Sequence, residues 1–180
     1  DSIPVVIHDL TIDRTSDSSG KVIDFKYGEL RSFNFAYHFK DPDGTYPYRN
    51  MPIRISRIKD ILIRYPTQLF LIEMKNTGWE GKLAIDSLVK VMKNLNLQDQ
   101  VTLFSFDNGV MQYIRQKTDI SFYTGSSTLE AFGFLQAVQQ GSSVSLKPDF
   151  DLLIIPVESN GNPLDSTLII DAVHEHNKGI

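Results

Sequence analysis

Cysteine is absent from the 180-residue sequence. The absence excludes a disulfide framework, thiolate chemistry and a zinc site with thiolate ligands. Because proteins without cysteine occur in reducing and oxidising compartments alike, it leaves the location of the protein open. No apolar run approaches the about 20 residues that a helix needs to span a bilayer.

The sequence also lacks a strong charge of either sign, since its formal net charge is -4 at pH 7. This small negative balance gives no electrostatic reason to expect nucleic acid or an anionic membrane as the main partner. With 41% hydrophobic and 22% charged residues, the composition is typical of a soluble globular protein. The length suffices for one domain with a sizeable core, and we expect a single domain over residues 1–180.

Short apolar runs alternate with segments of helical period along most of the chain. This alternation predicts an α/β fold with a parallel sheet whose strands are covered on both faces. The chain begins beside the first predicted strand and ends at Gly179-Ile180, where a C-cap glycine leads out of a helix, so we expect a fold that is cut at both ends. The predicted strands are residues 4–7, 69–74, 101–106, 120–123 and 151–156, and the predicted helices are residues 55–65, 82–96, 127–139 and a last one after Asp165 and Ser166.

The segment from residue 11 to about residue 52 interrupts this alternation. It is polar, contains the turn-forming run Asp41-Pro42-Asp43-Gly44 and carries many aromatic residues. Such a length is too great for an ordinary connection between a strand and a helix, and it predicts a small insertion folded over one mouth of the fold. We expect its aromatic side chains to form a small satellite core. The alternative is a lid that contacts a membrane surface.

Polar residues follow the apolar runs of two predicted strands: His8 in the first, and Glu73 and Lys75 in the second. Residues two apart on a strand share a face, so Glu73 and Lys75 are predicted to point the same way. A carboxylate beside an ammonium group suits a hard metal ion next to an anionic ligand such as phosphate. The alternative is a buried glutamate–lysine ion pair. His8 is a natural general acid or base, and its alternative is a structural, hydrogen-bonding role.

One block of the sequence is specific enough to indicate a family. Residues 8–30, HDLTIDRTSDSSGKVIDFKYGEL, resemble the signature of the glycerophosphodiester phosphodiesterase family, which reads H-D-x-T-x-D-R-T-T, then a turn with glycine, then E-L. The match continues with Tyr46-Pro47-Tyr48-Arg49 and with Ile72-Glu73-Met74-Lys75, which is similar to the family's I-E-x-K strand. Ser105-Phe106-Asp107 looks like its S-F-D.

The resemblance implies a TIM (β/α)8 barrel, incomplete at both ends of this sequence, with a small insertion after the second strand. It implies hydrolysis of small-molecule glycerophosphodiesters to sn-glycerol 3-phosphate and an alcohol, with Ca²⁺ or Mg²⁺ as cofactor. Carried over by motif, His8 is expected to be catalytic, Glu73 a metal ligand and Lys75 a phosphate contact. Supporting roles are expected for Asp9, Arg14 and Ser105, and the alternative for Arg14 is that it braces the insertion through a carboxylate.

The implied mechanism uses two histidines. One acts as a base toward the substrate's own 2-hydroxyl, and the other, which we expect to be His8, protonates the leaving alcohol. The family's other histidine, in an H-R pair, and its Glu-x-Asp metal pair are expected upstream of Asp1, so the 180 residues are expected to be inactive by themselves. Two alternatives stay open: a non-catalytic barrel that binds phosphate, and an enzyme in which Lys75 forms a Schiff base with a carbonyl substrate.

Overall fold

The protein is a mixed α/β structure with parallel strands, as the alternation of its sequence predicts. A computed structural model describes residues 2–117, 122–159, 161–164 and 166–180. The chain forms two compact units, the first comprising Asp1–Pro66 and Asp86–Val91 and the second Thr67–Ile85 and Met92–Ile180. One long helix thus contributes its middle turns to the first unit and its ends to the second.

The first unit has little regular structure and is held by a small apolar core. Its elements are a 3-10 helix at Val22–Asp24 and the helices α1, Tyr27–Leu30, and α2, Ile58–Arg64. The predicted satellite core is confirmed, because aromatic residues of the 11–52 segment pack against buried aliphatic ones. The cluster consists of the buried Ile12, Leu30 and Ile55 with Val5, Ile7, Val22, Phe25, Tyr27, Phe33 and Phe35 around them.

A buried asparagine organises the aromatic segment of the first unit. Asn34 is only 3% exposed, and its Nδ2 donates to the carbonyl of Tyr48 at 2.7 Å. Its Oδ1 accepts from the N–H groups of Ala36 and Ile53, and its own N–H donates to Oδ1 of Asp17. The buried Asn34 side chain therefore bonds three backbone groups, and it orders a segment that has few helical or strand hydrogen bonds.

The predicted strand at residues 4–7 is wrong. Val5 makes a single antiparallel bridge with Arg57. The partner segment turns into helix α2 at Ile58, whose N–H donates to the carbonyl of Pro4 at 3.0 Å. Because the partner leaves the extended conformation at this point, the ladder cannot grow beyond one bridge. His8 therefore follows an extended segment that is anchored to the start of α2.

The second unit contains a parallel sheet with strand order β1-β2-β3. Its register pairs Phe70 with Val101 and Thr102 with Tyr123, and the strands predicted at 69–74 and 101–106 are confirmed in shorter form. Residues 120 and 121 of the next predicted strand lie outside the described residues. The elements are β1 Phe70–Glu73, α3 Gly78–Leu95, β2 Val101–Phe104, α4 Asn108–Arg115, β3 Tyr123–Thr124, α5 Thr128–Gln139, the hairpin strands β4 Glu158–Ser159 and β5 Asn162–Pro163, and α6 Thr167–Glu175, with 3-10 helices at Gln98–Gln100 and Ser143–Ser145.

Side-chain caps mark the starts of helices α4 and α5. Ser127 accepts a hydrogen bond from the N–H of Glu130, whose carboxylate in turn accepts from the N–H of Ser127, so the predicted capping box at α5 is confirmed. Helix α4 is absent from the sequence-based prediction, although Asp107 caps it through the N–H of Val110. Its buried stripe of Val110, Met111 and Ile114 was the overlooked signal.

The predicted strand at 151–156 is reduced to one residue. Leu152 bridges in parallel to Gly125, but the pairing stops at the next position. There the N–H of Ile154 donates to the hydroxyl of Ser126 at 2.9 Å, so a side chain takes the place of a strand carbonyl. The hydroxyl of Ser126 thus replaces a backbone acceptor, and the hydrogen bonding between the two segments does not continue as a strand.

One core cluster of the second unit lies between helices α5 and α6 and the segment that joins them. Phe134 and Phe150 form an edge-to-face pair with ring centroids 5.7 Å apart. The buried residues of this cluster are Ala131, Phe134, Val138, Phe150, Leu153, Ile169, Ala172 and Val173.

Across the described ranges, no helix is both long and apolar enough to cross a membrane.

Candidate functional site

Glu73 and Lys75 form an ion pair where strand β1 ends. The Nζ of Lys75 lies 2.8 Å from Oε2 of Glu73, and the two side chains are 25% and 21% exposed. The prediction that they point the same way is confirmed by this contact. Lys75 lies beyond the last residue of β1, but the N–H of Met74 still donates to the carbonyl of Phe104, so the alternation of side chains continues past Glu73. The pair presents a carboxylate and an ammonium group together at the carboxyl end of a parallel strand. In parallel α/β sheets, this is the end at which ligands bind.

Ser105 contacts the backbone between Glu73 and Lys75. It is 1% exposed, and its Oγ donates to the carbonyl of Met74 at 2.9 Å. The same Oγ accepts a hydrogen bond from the N–H of Asp107 at 3.2 Å. The structure therefore places Ser105 against the peptide between Glu73 and Lys75, with its hydroxyl used for holding the chain.

In the first unit, His8, Asp9 and Arg14 form a chain of charged contacts. Nδ1 of His8 lies 2.8 Å from Oδ1 of Asp9, and Nε of Arg14 donates to Oδ2 of Asp9 at 2.6 Å. The Arg14 guanidinium, and secondly the contact with His8, lower the pKa of Asp9 to about 2. Asp9 is therefore ionised at any physiological pH and can hold the His8 ring in one orientation. The structure brings these three predicted residues together.

A cavity of about 360 Å³ adjoins His8 within the first unit. This volume is at the lower end of the range for small-molecule sites. Among the described residues, its lining includes arginine and histidine but no carboxylate, so its charge suits an anionic ligand. The hydroxyl of Thr15 is buried without a hydrogen-bond partner in the described chain, and it could bond a ligand. The lining residues are Val6, Ile7, His8, Arg14, Thr15, Phe35, Arg54, Ile55, Ser56 and Ile61.

The fit to a divalent cation rests on Glu73. Its carboxylate has the hard oxygen donors that Ca²⁺ and Mg²⁺ prefer, and an ionised carboxylate can accept more than the one contact from Lys75. In the ranges that the structure describes, no three histidine, aspartate or glutamate side chains come together as a metal centre. Glu73 thus fits such an ion in ligand type, and a complete site requires further ligands.

The replacement of Arg14 by glutamine tests the charged chain at His8. We expect the pKa of Asp9 to rise from about 2 toward its ordinary 3.8, because the Arg14 contact is the main cause of the depression. Since the pKa of Asp9 is depressed by folding, its ionisation stabilises the fold above about pH 4, and this contribution is lost as the pH falls toward 2.

Carbon NMR titration of the Asp9 carboxyl group from about pH 5 to about pH 3 measures this change. The native protein should stay ionised over most of this range, whereas Arg14→Gln should begin to protonate. Arg64→Gln, at the end of helix α2, removes an equal charge in the same unit and is the control. An unchanged titration of Asp9 in the Arg14 variant would contradict the assignment.

The family model and the curated relative that match this chain describe the same kind of enzyme. A model of the glycerophosphoryl diester phosphodiesterase family matches residues 1–130. Glycerophosphodiester phosphodiesterase 1 of Bos taurus is 29% identical over 117 residues, which are 64% of this chain and 34% of that protein. The chain therefore spans about a third of the length of this curated relative.

Solved structures share the fold. A glycerophosphoryl diester phosphodiesterase domain from Mycobacterium tuberculosis superposes with a TM-score of 0.68 at 12% identity, over 84% of this chain and 52% of that one. The glycerophosphodiester phosphodiesterase of Agrobacterium tumefaciens gives 0.65 at 18% identity, over 97% and 65% of the two chains. An Oleispira antarctica phosphodiesterase in complex with the product sn-glycerol-3-phosphate gives 0.61 at 17%, over 99% and 75%.

Proposed function

Because the chain belongs to the glycerophosphoryl diester phosphodiesterase family, we propose that this protein hydrolyses glycerophosphodiesters to sn-glycerol 3-phosphate and an alcohol. The Glu73–Lys75 pair carries the proposal, because it puts the family's I-E-x-K residues in contact at the carboxyl end of a parallel strand. A related fold holding sn-glycerol-3-phosphate, in the Oleispira antarctica enzyme, supports a small glycerophosphate ligand. The parallel strands β1 to β3 and their helices are proposed to be part of a (β/α)8 barrel, with residues 11–52 as an insertion after its second strand.

Lys75 is proposed to bind the phosphate of the substrate. Its ammonium group is a compact charge with three donors, and the adjacent Glu73 carboxylate restrains it at 2.8 Å. Glu73 is proposed as one ligand of a Ca²⁺ or Mg²⁺ ion, and further ligands would come from outside the described residues. Such an ion, when bound, would polarise the phosphodiester and offset the charge that develops on its oxygens.

His8 is proposed as the general acid. Its Nδ1 donates to Asp9, which favours the orientation in which Nε2 exchanges protons with the substrate. The substrate's own 2-hydroxyl oxygen forms the new bond to phosphorus, and its proton goes to a base outside the described residues. As the bond between phosphorus and the leaving oxygen breaks, the proton passes from Nε2 to that oxygen and the alcohol departs neutral. Water then opens the resulting cyclic phosphate to give sn-glycerol 3-phosphate. Asp9 stays an anion throughout because its pKa is about 2. It holds the ring and takes no proton.

The test is release of sn-glycerol 3-phosphate from glycerophosphocholine by the whole protein, with calcium, magnesium or a chelator. Release that requires a metal ion is the expected result. Residues 1–180 alone are expected to show none, because their described carboxylates do not complete a metal centre. If the folded whole protein binds sn-glycerol 3-phosphate but cleaves no headgroup with either metal, the non-catalytic phosphate-binding barrel replaces the proposal.

A further inference from the structure

Two residues that follow strand β2 hold the loop that follows strand β1. The loop, residues 74–77, includes Lys75 and connects Glu73 to helix α3. Ser105 donates to the carbonyl of Met74, the residue between the two members of the ion pair. This contact joins positions 31 residues apart in sequence, so it exists only because β1 and β2 are neighbours.

Asp107 holds the other end of the same loop. Its Oδ2 accepts from the N–H of Gly78, the first residue of α3, at 3.2 Å, while Oδ1 accepts from the N–H of Val110 in α4 at 3.0 Å. The preceding residue Thr77 makes no side-chain capping bond, so a carboxylate from another loop takes its place. The two backbone N–H groups also lower the pKa of Asp107, which keeps it an anion at both helix N-termini.

We propose that Ser105 and Asp107 are positioning residues that fix residues 74–78 at both ends and thereby place the Lys75 ammonium for phosphate. The inference rests on the proposed function, because it needs Lys75 to bind phosphate. Lysine has a flexible four-carbon side chain, so the position of its ammonium group depends on how firmly its backbone is held. A displacement of about 1 Å at a positioned group can reduce catalysis about 100-fold.

A double-mutant cycle with sn-glycerol 3-phosphate as the probe tests this coupling in the whole protein. Asp107→Ser keeps a capping oxygen for α4 but offers a single acceptor, so the contact with Gly78 is lost. We expect Lys75→Ala to weaken binding about 10- to 100-fold and Asp107→Ser about 3- to 10-fold. The double variant should bind no more weakly than Lys75→Ala, since Asp107 acts only through Lys75.

Ser105→Ala is the second variant, because it removes the hydroxyl on Met74 without adding volume. Ser105→Ala should also weaken binding of the probe, and its double variant with Lys75→Ala should bind no more weakly than Lys75→Ala alone. Val138→Ala, in the α5–α6 core, lowers stability without touching residues 74–78 and should leave probe binding unchanged. Calorimetry measures binding independently of turnover.

The outcomes separate the two claims. The positioning role is overturned if the losses of affinity in the single variants multiply in the double variants, or if Asp107→Ser and Ser105→Ala both bind the probe as the native protein does. In either case the function of Lys75 stands. Native binding by Lys75→Ala would remove the phosphate role of Lys75, and the positioning proposal with it. Weakened binding that disappears in the background of Lys75→Ala establishes the positioning role.

Discussion

Glu73→Gln is expected to lower the metal-dependent turnover of glycerophosphodiesters by about 100- to 1000-fold or more, because a metal ion supplies several kcal/mol of transition-state stabilisation. Glutamine keeps the volume and one oxygen acceptor of Glu73 but loses the charge that attracts a divalent cation. Because glutamine has the same shape and can still accept a hydrogen bond from Lys75, the fold should persist. Steady-state kinetics over a range of calcium concentrations measure the loss, and calorimetry with calcium alone measures binding directly.

The matched control is Glu175→Gln, the same change at the end of helix α6. It should leave both turnover and calcium binding as in the native protein. Circular dichroism of each variant shows whether the fold is retained. A folded Glu73→Gln protein with full activity and native calcium affinity would remove Glu73 from the proposed metal site.

His8→Asn is expected to reduce kcat about 100- to 10,000-fold, the range over which a general acid contributes. Asparagine can still donate to Asp9, as Nδ1 of His8 does, but it has no titratable nitrogen for proton transfer. The change therefore removes the proton donor while retaining the local contact. His38→Asn is the control, since His38 lies in the aromatic segment and packs on Tyr37.

Substrates with different leaving groups distinguish whether His8 acts as an acid or as a base. A nitrophenyl ester of glycerol 3-phosphate releases its leaving group as a stable nitrophenolate, which needs no protonation, so His8→Asn should lose far less activity on this substrate than on glycerophosphocholine. Equal losses on the two substrates would contradict the acid role and favour the base. Unchanged activity on both would exclude His8 from the chemistry.

Local features of the structure could be predicted from the sequence. The shared face of Glu73 and Lys75 follows from the strand period, and the capping box of Ser127 and Glu130 follows from residues three apart. The family assignment rests on the block at residues 8–30 and is confirmed by the match over residues 1–130. The metal ion, the domain boundaries and the catalytic role of His8 stay predictions.

Other features depend on packing between distant segments. Whether residues 4–7 became a strand was decided by the partner segment, which turns into a helix at Ile58. The hydroxyl of Ser105 could have faced a ligand, but the alignment of β1 beside β2 directs it to the carbonyl of Met74.

The sequence by itself determined the family, the alternation of elements and the residues that carry the proposed chemistry, because periods and caps act over a few neighbouring positions. Only the tertiary structure decided how those residues are held, as the contact of Asp107 with Gly78 illustrates. These residues are 29 positions apart, and nothing local specifies which N–H group the second carboxylate oxygen will meet. That choice depends on the parallel pairing of two strands, which places their following loops side by side.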